Sequence, residues 1–247
     1  MKIELKINGK PFIADFGLPL SIGIPLSREN NPGCYYTNPP EFKPIMVEGF
    51  TGSIAEGGTV NHFELSLAPH GNGTHTECSG HIYNNGQVIT DVLAKYHFLT
   101  QVVSISPTKQ HNETFVAGEA IDQLNLQAGV TTMVIRTLPN TRAKLSKDYS
   151  GTNPTYISVE AMEKIVAQGI EHLIVDVPSV DPEVDAGKLS AHKSFWQGER
   201  QNHCTITELA YMPNDLADGL YLLNLQIMNI ELDVSPSNPV LYSLKPM

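Results

Sequence analysis

The chain has 247 residues, 41% of them hydrophobic and 17% charged, with 16 Lys and Arg against 26 Asp and Glu for a formal net charge of −10. A globular chain of this length buries roughly 70% or more of the surface it exposes when unfolded, so a sizeable core is available. The basic residues are scattered, and no run of them matches a phosphate backbone or an anionic lipid surface; this argues against nucleic-acid and membrane partners.

In chain order, Ile3, Leu5 and Ile7 alternate with Glu4 and Lys6, and Asn8-Gly9 precedes a second apolar stretch, "PFIADF". This is the pattern of a hairpin. The same segment has no continuous apolar h-region, and no run in the chain approaches the ~20 residues of a membrane span. The three cysteines, Cys34, Cys78 and Cys204, are irregularly spaced with no C-x-x-C pair. They point to a reducing compartment, and the expected location is the cytoplasm.

Residues 17–44 are rich in Pro, Gly and Asn and read as a long irregular excursion, of the kind that often walls a site. Thr59–Leu67 alternates and predicts a half-buried strand leading into "HGNGTHTECSGH" (His70–His81). Strands are predicted at Thr100–Ser106, Thr131–Leu138 and His172–Ser179. The last two are near-continuous apolar runs, as expected of strands covered on both faces. A short helix is predicted at Gly118–Leu124. A better-marked one lies between the last two of these strands, with Ser158 as cap, Met162, Ile165 and Val166 on one face, and Gly169 at its end. "GLYLLNLQIMNIEL" reads as strand, and "SPSNPVLYSL" as an edge strand. No repeat, linker or charge block divides the chain. The expectation is one α/β domain over residues 1–247, with a mixed sheet and long loops.

The segment His70–His81 carries three histidines, a glutamate, a cysteine and three glycines. Catalytic divalent metals take imidazole nitrogen and carboxylate oxygen from a backbone that turns sharply. His75 and Glu77 are two residues apart, so on an extended segment both reach one ion. Gly71, Gly73 and Gly80 permit tight turns. His81 lies six residues beyond His75, beside such an ion. Cys78 is a candidate nucleophile if a neighbouring positive charge lowers its pKa. A second cluster follows the His172–Ser179 strand and contains Asp176, Asp181, Asp185, His192, His203 and Glu208. Asp181-Pro182 reads as a turn, Asp185 as solvated and His203 as a surface residue. Tyr35, Tyr36, Phe63 and Trp196 are candidates for an aromatic wall around a planar substrate.

These residues resemble the cyclase family that includes bacterial kynurenine formamidases and isatin hydrolases. The family signature H-x-G-T-H-x-D-x-P-x-H is matched by "GNGTHTECSGH" at Gly71–His81. "PSVDP" (Pro178–Pro182), "SAH" (Ser190–His192) and "TEL" (Thr207–Leu209) follow in the family's order. The likeness runs from about residue 15 to the C-terminus. It implies a swivelling β/β/α fold and hydrolysis of a small amide, an N-formyl or cyclic amide, with Zn²⁺ or Mn²⁺. Carried over by position, His75, Glu77, His192 and Glu208 are metal ligands and His81 is the catalytic histidine. It also implies a small-molecule substrate and a homodimer or homotetramer.

The departures from the signature are specific. Gly71 stands where the family has its first histidine, and His70 is one residue off. In a regular strand that slip aims His70 at the opposite face, and a bulge is needed to bring it back as a ligand. Glu77 replaces an aspartate and Ser79 a proline. Sixteen residues separate His192 from Glu208. One metal ion or two are both compatible with this set. Besides the amidohydrolase, the residues suit a cyclase or lactonase acting on another carbonyl compound. They also suit a degenerate member that binds a small molecule or metal without turnover, which Gly71 favours.

Overall fold

Asn8 and Gly9 take positive φ values of 49° and 80°, as a two-residue hairpin turn requires. They join strands β1 (Lys2–Ile7) and β2 (Lys10–Asp15). The computed structural model describes residues 1–247 throughout. The remaining principal strands are β3 (His75–Glu77), β4 (His97–Ile105), β5 (Thr132–Thr137), β6 (His172–Val175), β7 (Thr205–Glu208), β8 (Gly219–Ile227) and β9 (Val234–Pro246). The main helices are α1 (Val159–Ala167) and α2 (Ser190–Phe195).

The principal sheet has ten strands and runs β1-β2-β9-β8-β4-β5-β6-β7-β3, with Leu20–Ser21 as a short extra strand on β9. Strands β4, β5, β6 and β7 are parallel, and their flanking neighbours are antiparallel. A further pairing of β9 with β3 closes the strands from β9 to β3 into a barrel, with the β1–β2 hairpin continuing from β9 outside it. The fold is a strand-rich mixed α/β fold with few helices, in agreement with the sequence.

Both apolar runs are buried at every position, β5 from Thr132 to Thr137 and β6 from His172 to Val175. Alternation explains why. Met133, Ile135, Leu173 and Val175 face one core, packed on Ala161, Met162 and Ile165 of α1 and on Ala191 and Phe195 of α2. Val134 and Ile174 face a second core with Leu223, Leu225 and Leu241 of β8 and β9. Helix α1 begins where expected: the Ser158 hydroxyl accepts from the Ala161 amide at 3.1 Å, and Gly169 ends it with a φ of 78°.

Two expectations fail. The predicted half-buried strand at Thr59–Leu67 is only Phe63–Ser66, exposed along its length and paired with Glu41–Pro44 outside the main sheet. Its alternation was real, but its apolar face meets no core and carries only the Arg28 guanidinium over Phe63. The expected edge strand near the C-terminus is instead β9, thirteen residues long, which pairs with β8 on one side and with β2, Leu20–Ser21 and β3 on the other. Its prolines, Pro236, Pro239 and Pro246, suggested an edge, yet partner changes along the strand accommodate the missing amides.

Candidate metal centre

The glycine-histidine segment does not run as one strand. A short 3-10 turn at Pro69–Gly71 precedes β3. Asn72 pins it: its Oδ1 accepts from the Ala68 amide at 2.7 Å, and its Nδ2 donates to the Asn38 carbonyl at 2.9 Å. A Cβ at residue 71 would lie 2.2 Å from Thr37 Oγ1, so this position admits only glycine. Gly73 has a φ of 135° and redirects the chain into β3. Thr74 Oγ1 accepts from the Ile24 amide and donates to the Leu209 carbonyl, tying the segment to the end of β7.

In β3, His75 and Glu77 share one face, and Thr76 turns away to bond Thr207 at 2.7 Å. The β3–β7 register pairs His75 with Glu208. His192 comes from α2, after the loop that follows β6. Glu208 ends β7, so this cluster sits at the carboxyl ends of the parallel strands, where open α/β sheets place ligands.

The side chains converge. His75 Nε2 is 3.5 Å from Glu208 Oε2. His192 Nε2 is 3.0 Å from Glu77 Oε1 and 3.8 Å from Glu208 Oε1. His70 Nδ1 is 3.1 Å from Glu77 Oε2, and His81 Nε2 is 3.8 Å from the same oxygen. Two donor sets result, His75–Glu77–Glu208 and His70–Glu77–His81, with the atoms of each within 4.8 Å of one another and Glu77 common to both.

Three observations fit these residues to a divalent cation. His75 Nε2 and Glu77 Oε2 are fully buried and have no hydrogen-bond partner, which leaves them costly unless an ion satisfies them. The donors are imidazole nitrogens and carboxylate oxygens, a set that suits Zn²⁺ and Mn²⁺ alike. Finally, each imidazole has its far nitrogen engaged: His75 Nδ1 by the Gly73 carbonyl at 2.9 Å, His192 Nδ1 by Asp181 at 2.6 Å, and His70 Nε2 by Asp233 at 2.9 Å. That arrangement orients metal-binding histidines.

The electrostatics point the same way. Burial pushes His192 down, but Asp181 and Glu77 outweigh it and raise its pKa to about 10. Burial likewise opposes His70, and Asp233 and Glu77 raise it to about 10. Glu77 is pushed up by burial, yet the bond from His192 and the neighbouring His70 imidazole hold it well below the usual carboxylate range. Hydrogen bonds from His70 and His81 hold Asp233 low as well. Buried carboxylates here demand positive charge. A divalent cation would supply it in place of imidazolium protons.

The structure brings His70, His75, Glu77, His81, His192 and Glu208 together. The one-residue slip at His70 is absorbed by the 3-10 turn, because a turn does not keep a strand's two-residue alternation. The sixteen-residue interval between His192 and Glu208 is taken up by the end of α2, a 3-10 turn at Gly198–Asn202 and β7.

The aromatic candidates scatter. Trp196 is fully buried behind His192, 5.4 Å between ring centroids, and its Nε1 donates to the Cys204 carbonyl at 3.0 Å; it has no surface to offer a substrate. Phe63 lies under the Arg28 guanidinium at 4.3 Å, away from the cluster. Tyr36 is 80% exposed and lies over Gly151. Tyr35 is 41% exposed, and burial, then the nearby charge of Glu208, raises its phenol pKa. Burial pushes the Cys78 thiol up to about 11, which suits packing rather than nucleophilic attack.

Two carboxylates gain roles that the sequence hid. Asp181, read as part of a turn, is buried. It accepts from the Ala191 amide at 2.7 Å and the His192 amide at 3.1 Å as well as from the His192 ring. Its place three residues after Pro178 in "PSVDP" was the available signal. Asp233, just before β9, reaches His70 and His81, at 3.5 Å from His81 Nδ1. No local pattern marks it. His81 and Asp233 also line an open cleft of about 510 Å³ with Tyr83, Asn84 and Gln87.

Comparison with known proteins places the chain in a family. A family model described as "Putative cyclase" matches residues 15–182. A kynurenine formamidase from Bacillus thuringiensis subsp. konkukian is 27% identical over 191 residues, 76% of this chain and 83% of that protein. One from Bacillus anthracis is 27% identical over the same span. Among solved structures, a potential metal-dependent hydrolase with cyclase activity superposes with a TM-score of 0.68 at 14% identity, covering 93% of this chain and 99% of the other. An isatin hydrolase bound to the product analogue thioisatinate superposes at 0.63 and 15% identity, covering 93% and 92%. At such identities the structural likeness speaks for the fold. No helix is long and apolar enough to cross a membrane.

Proposed function

The chain belongs to the cyclase family, and from that premise we propose that it is a metal-dependent hydrolase of a small amide, an N-formyl aryl amine or a cyclic amide. The observation that carries the reading is the pair of orphaned buried atoms, His75 Nε2 and Glu77 Oε2, at the focus of His70, His192 and Glu208. The names of the relatives, kynurenine formamidase and isatin hydrolase, supply the substrate class.

His75, Glu77, Glu208 and His192 would hold the ion, with His70 as a further ligand; Zn²⁺ and Mn²⁺ are both proposed. When bound, such an ion polarises the substrate carbonyl and lowers the pKa of an attacking water. His81 is the general base. It is 29% exposed, less enclosed than His75, Glu77, His192 and Glu208, and opens onto the cleft. Asp233 beside Nδ1 leaves Nε2 to take the water's proton and return it to the leaving nitrogen. Asp181 and Asp233 keep the imidazoles in the required tautomers. The position of His70 supports turnover over the degenerate-binder reading, since the glycine at 71 no longer implies a missing donor. The proposal includes a cytoplasmic homodimer or homotetramer, to be sized by light scattering.

The test is metal content by elemental analysis on the purified chain and on His75→Ala, followed by assays with formanilide and isatin. One or two equivalents of metal, lost in the variant, with turnover of either probe, is the expected result. Absence of metal uptake even after adding Zn²⁺ or Mn²⁺ sinks the proposal.

A further inference from the structure

The metal centre occupies the carboxyl ends of the parallel strands. The opposite end of the barrel holds a second cavity, of about 540 Å³, a volume that suits a small organic ligand. The amino-terminal ends of four strands meet there: Phe98 and Leu99 of β4, Thr131 just before β5, His172 at the start of β6 and His203 just before β7. Backbone bonds fix these ends to one another. The Glu171 and His172 amides both donate to the Thr131 carbonyl, at 2.8 and 3.2 Å, and the Thr205 amide donates to the Glu171 carbonyl at 3.1 Å.

His172 is the polar group at the floor of this cavity. It lies two residues before Ile174, so it faces the barrel interior as Ile174 does. Its ring packs on Phe98 with 4.2 Å between centroids, and only 5% of the residue is exposed. The Thr205 hydroxyl engages Nδ1 at 2.8 Å. Nε2 has no partner in the protein and meets solvent through the cavity. With Thr205 donating to Nδ1, the ring proton lies on Nε2 and is free to be donated. A polar group this deeply buried with an idle donor is uncommon.

The charges around it set the sign of a ligand. Lys95 lines the cavity and is not ion-paired. Behind the wall, the Arg200 guanidinium is held by the Phe195 carbonyl at 2.7 Å and the Ile170 carbonyl at 2.5 Å. Burial, then His203, Arg200 and Lys95, lowers the His172 pKa to about 4, so the ring is neutral at pH 7. Positive groups that expel a proton from this place attract an anion to it. One carboxylate lining the cavity, Glu171, opposes them; it is the neighbour of His172 along the strand, so its side chain turns to the other face. The imidazoles do not form a metal site as they stand, because the two donor sets that converge within 4.8 Å both belong to the centre at the far end. Val92, Phe98 and Leu99 give the cavity apolar walls.

We propose that this cavity binds a small organic carboxylate with an apolar body, its oxygens taking the His172 Nε2 proton and the Lys95 ammonium and its body lying against Val92, Phe98 and Leu99. The site is separate from the metal centre, and the inference does not depend on the hydrolase reading.

The probe is benzoate, titrated by calorimetry into the purified chain with and without prior chelation, since a carboxylate also binds divalent metal ions. Binding that survives chelation is expected. Lys95→Glu, at an exposed position, should weaken it by about fivefold or more, the effect of losing one exposed ion pair, with metal content unchanged. His172→Phe keeps the ring stack and removes the donor, and should weaken binding by about tenfold or more; Lys95→Glu keeps the test decisive if that variant does not fold. No binding by the wild type overturns the proposal, as does equal affinity in Lys95→Glu. Benzylamine binding as tightly as benzoate overturns the assignment of a carboxylate. Loss of binding on chelation places benzoate at the metal centre and overturns the second site.

Discussion

Replacing Asp181 with Asn exchanges one acceptor oxygen for an NH₂ group and changes almost no volume, yet it disables the support of His192. The carboxylate accepts three hydrogen bonds: one oxygen serves the Ala191 amide at 2.7 Å, the other serves the His192 amide at 3.1 Å and His192 Nδ1 at 2.6 Å. An amide group offers only one acceptor oxygen. If that oxygen keeps His192, the NH₂ group faces the Ala191 N–H, and a buried donor loses its partner at about 1–3 kcal/mol. If it keeps Ala191, the NH₂ group faces Nδ1, which must then accept, and the ring proton moves to Nε2, the nitrogen aimed at Glu77. The first outcome destabilises the start of α2, which carries His192; the second removes the outer partner of a ligand, which lowers metal affinity by about 10–100-fold. At 1.36 kcal/mol per decade this is about 1.4–2.7 kcal/mol of binding free energy. Competition with a chromophoric chelator for Zn²⁺ measures it, and Tm in excess EDTA isolates the folding part, about 2–4 °C for each kcal/mol at this chain length. Zn²⁺ affinity within twofold of wild type would refute the reasoning, because it would mean that the Asp181 contact does not set the orientation of His192.

Restoring the family's histidine by Gly71→His is expected to destabilise the chain rather than add a ligand. The new Cβ would meet the short, turn-bound side chain of Thr37 at 2.2 Å, and overpacking of this sort costs about 1–3 kcal/mol; a Tm equal to wild type with unchanged metal stoichiometry would contradict it. His172 makes acid stability a second test. Burial, then repulsion from His203, Arg200 and Lys95, lowers its pKa from 6.5 to about 4. Between those values the unfolded chain binds the proton and the folded chain does not. The contribution is therefore complete above pH 6.5 and is lost as pH falls toward 4, up to roughly 3 kcal/mol. Urea midpoints at pH 7 and pH 4.5 should show this loss, and His172→Gln should flatten the dependence; an equally steep variant would assign it to other groups.

Much of the architecture is legible from local patterns. The Asn8-Gly9 hairpin, the Ser158-capped helix and the two apolar parallel strands announce themselves because turn chemistry, capping and burial act within a few residues. The failures are equally physical. Phe63–Ser66 alternates like a half-buried strand, but alternation says only that one face is apolar, and whether anything covers it depends on distant chain. The prolines of β9 were misleading because the strand exchanges partners along its length. Trp196 looks like a substrate platform in sequence and is a backstop for His192 in space.

What the sequence determined by itself is the inventory of the site and the family: His75, Glu77, His81, His192 and Glu208 sit in blocks whose residue types and order carry chemical meaning. The tertiary structure decided which other groups join them. His70 faces Glu77 because a 3-10 turn breaks the strand alternation that would have turned it away. Asp233 lies 163 residues from His70 and Asp181 104 from Glu77 along the chain, and barrel closure by β9 on β3 and the packing of α2 bring them to the same few ångströms. Local propensities act over the span of a turn, whereas the field that charges, orients and desolvates a metal-binding histidine comes from whatever the whole fold packs against it.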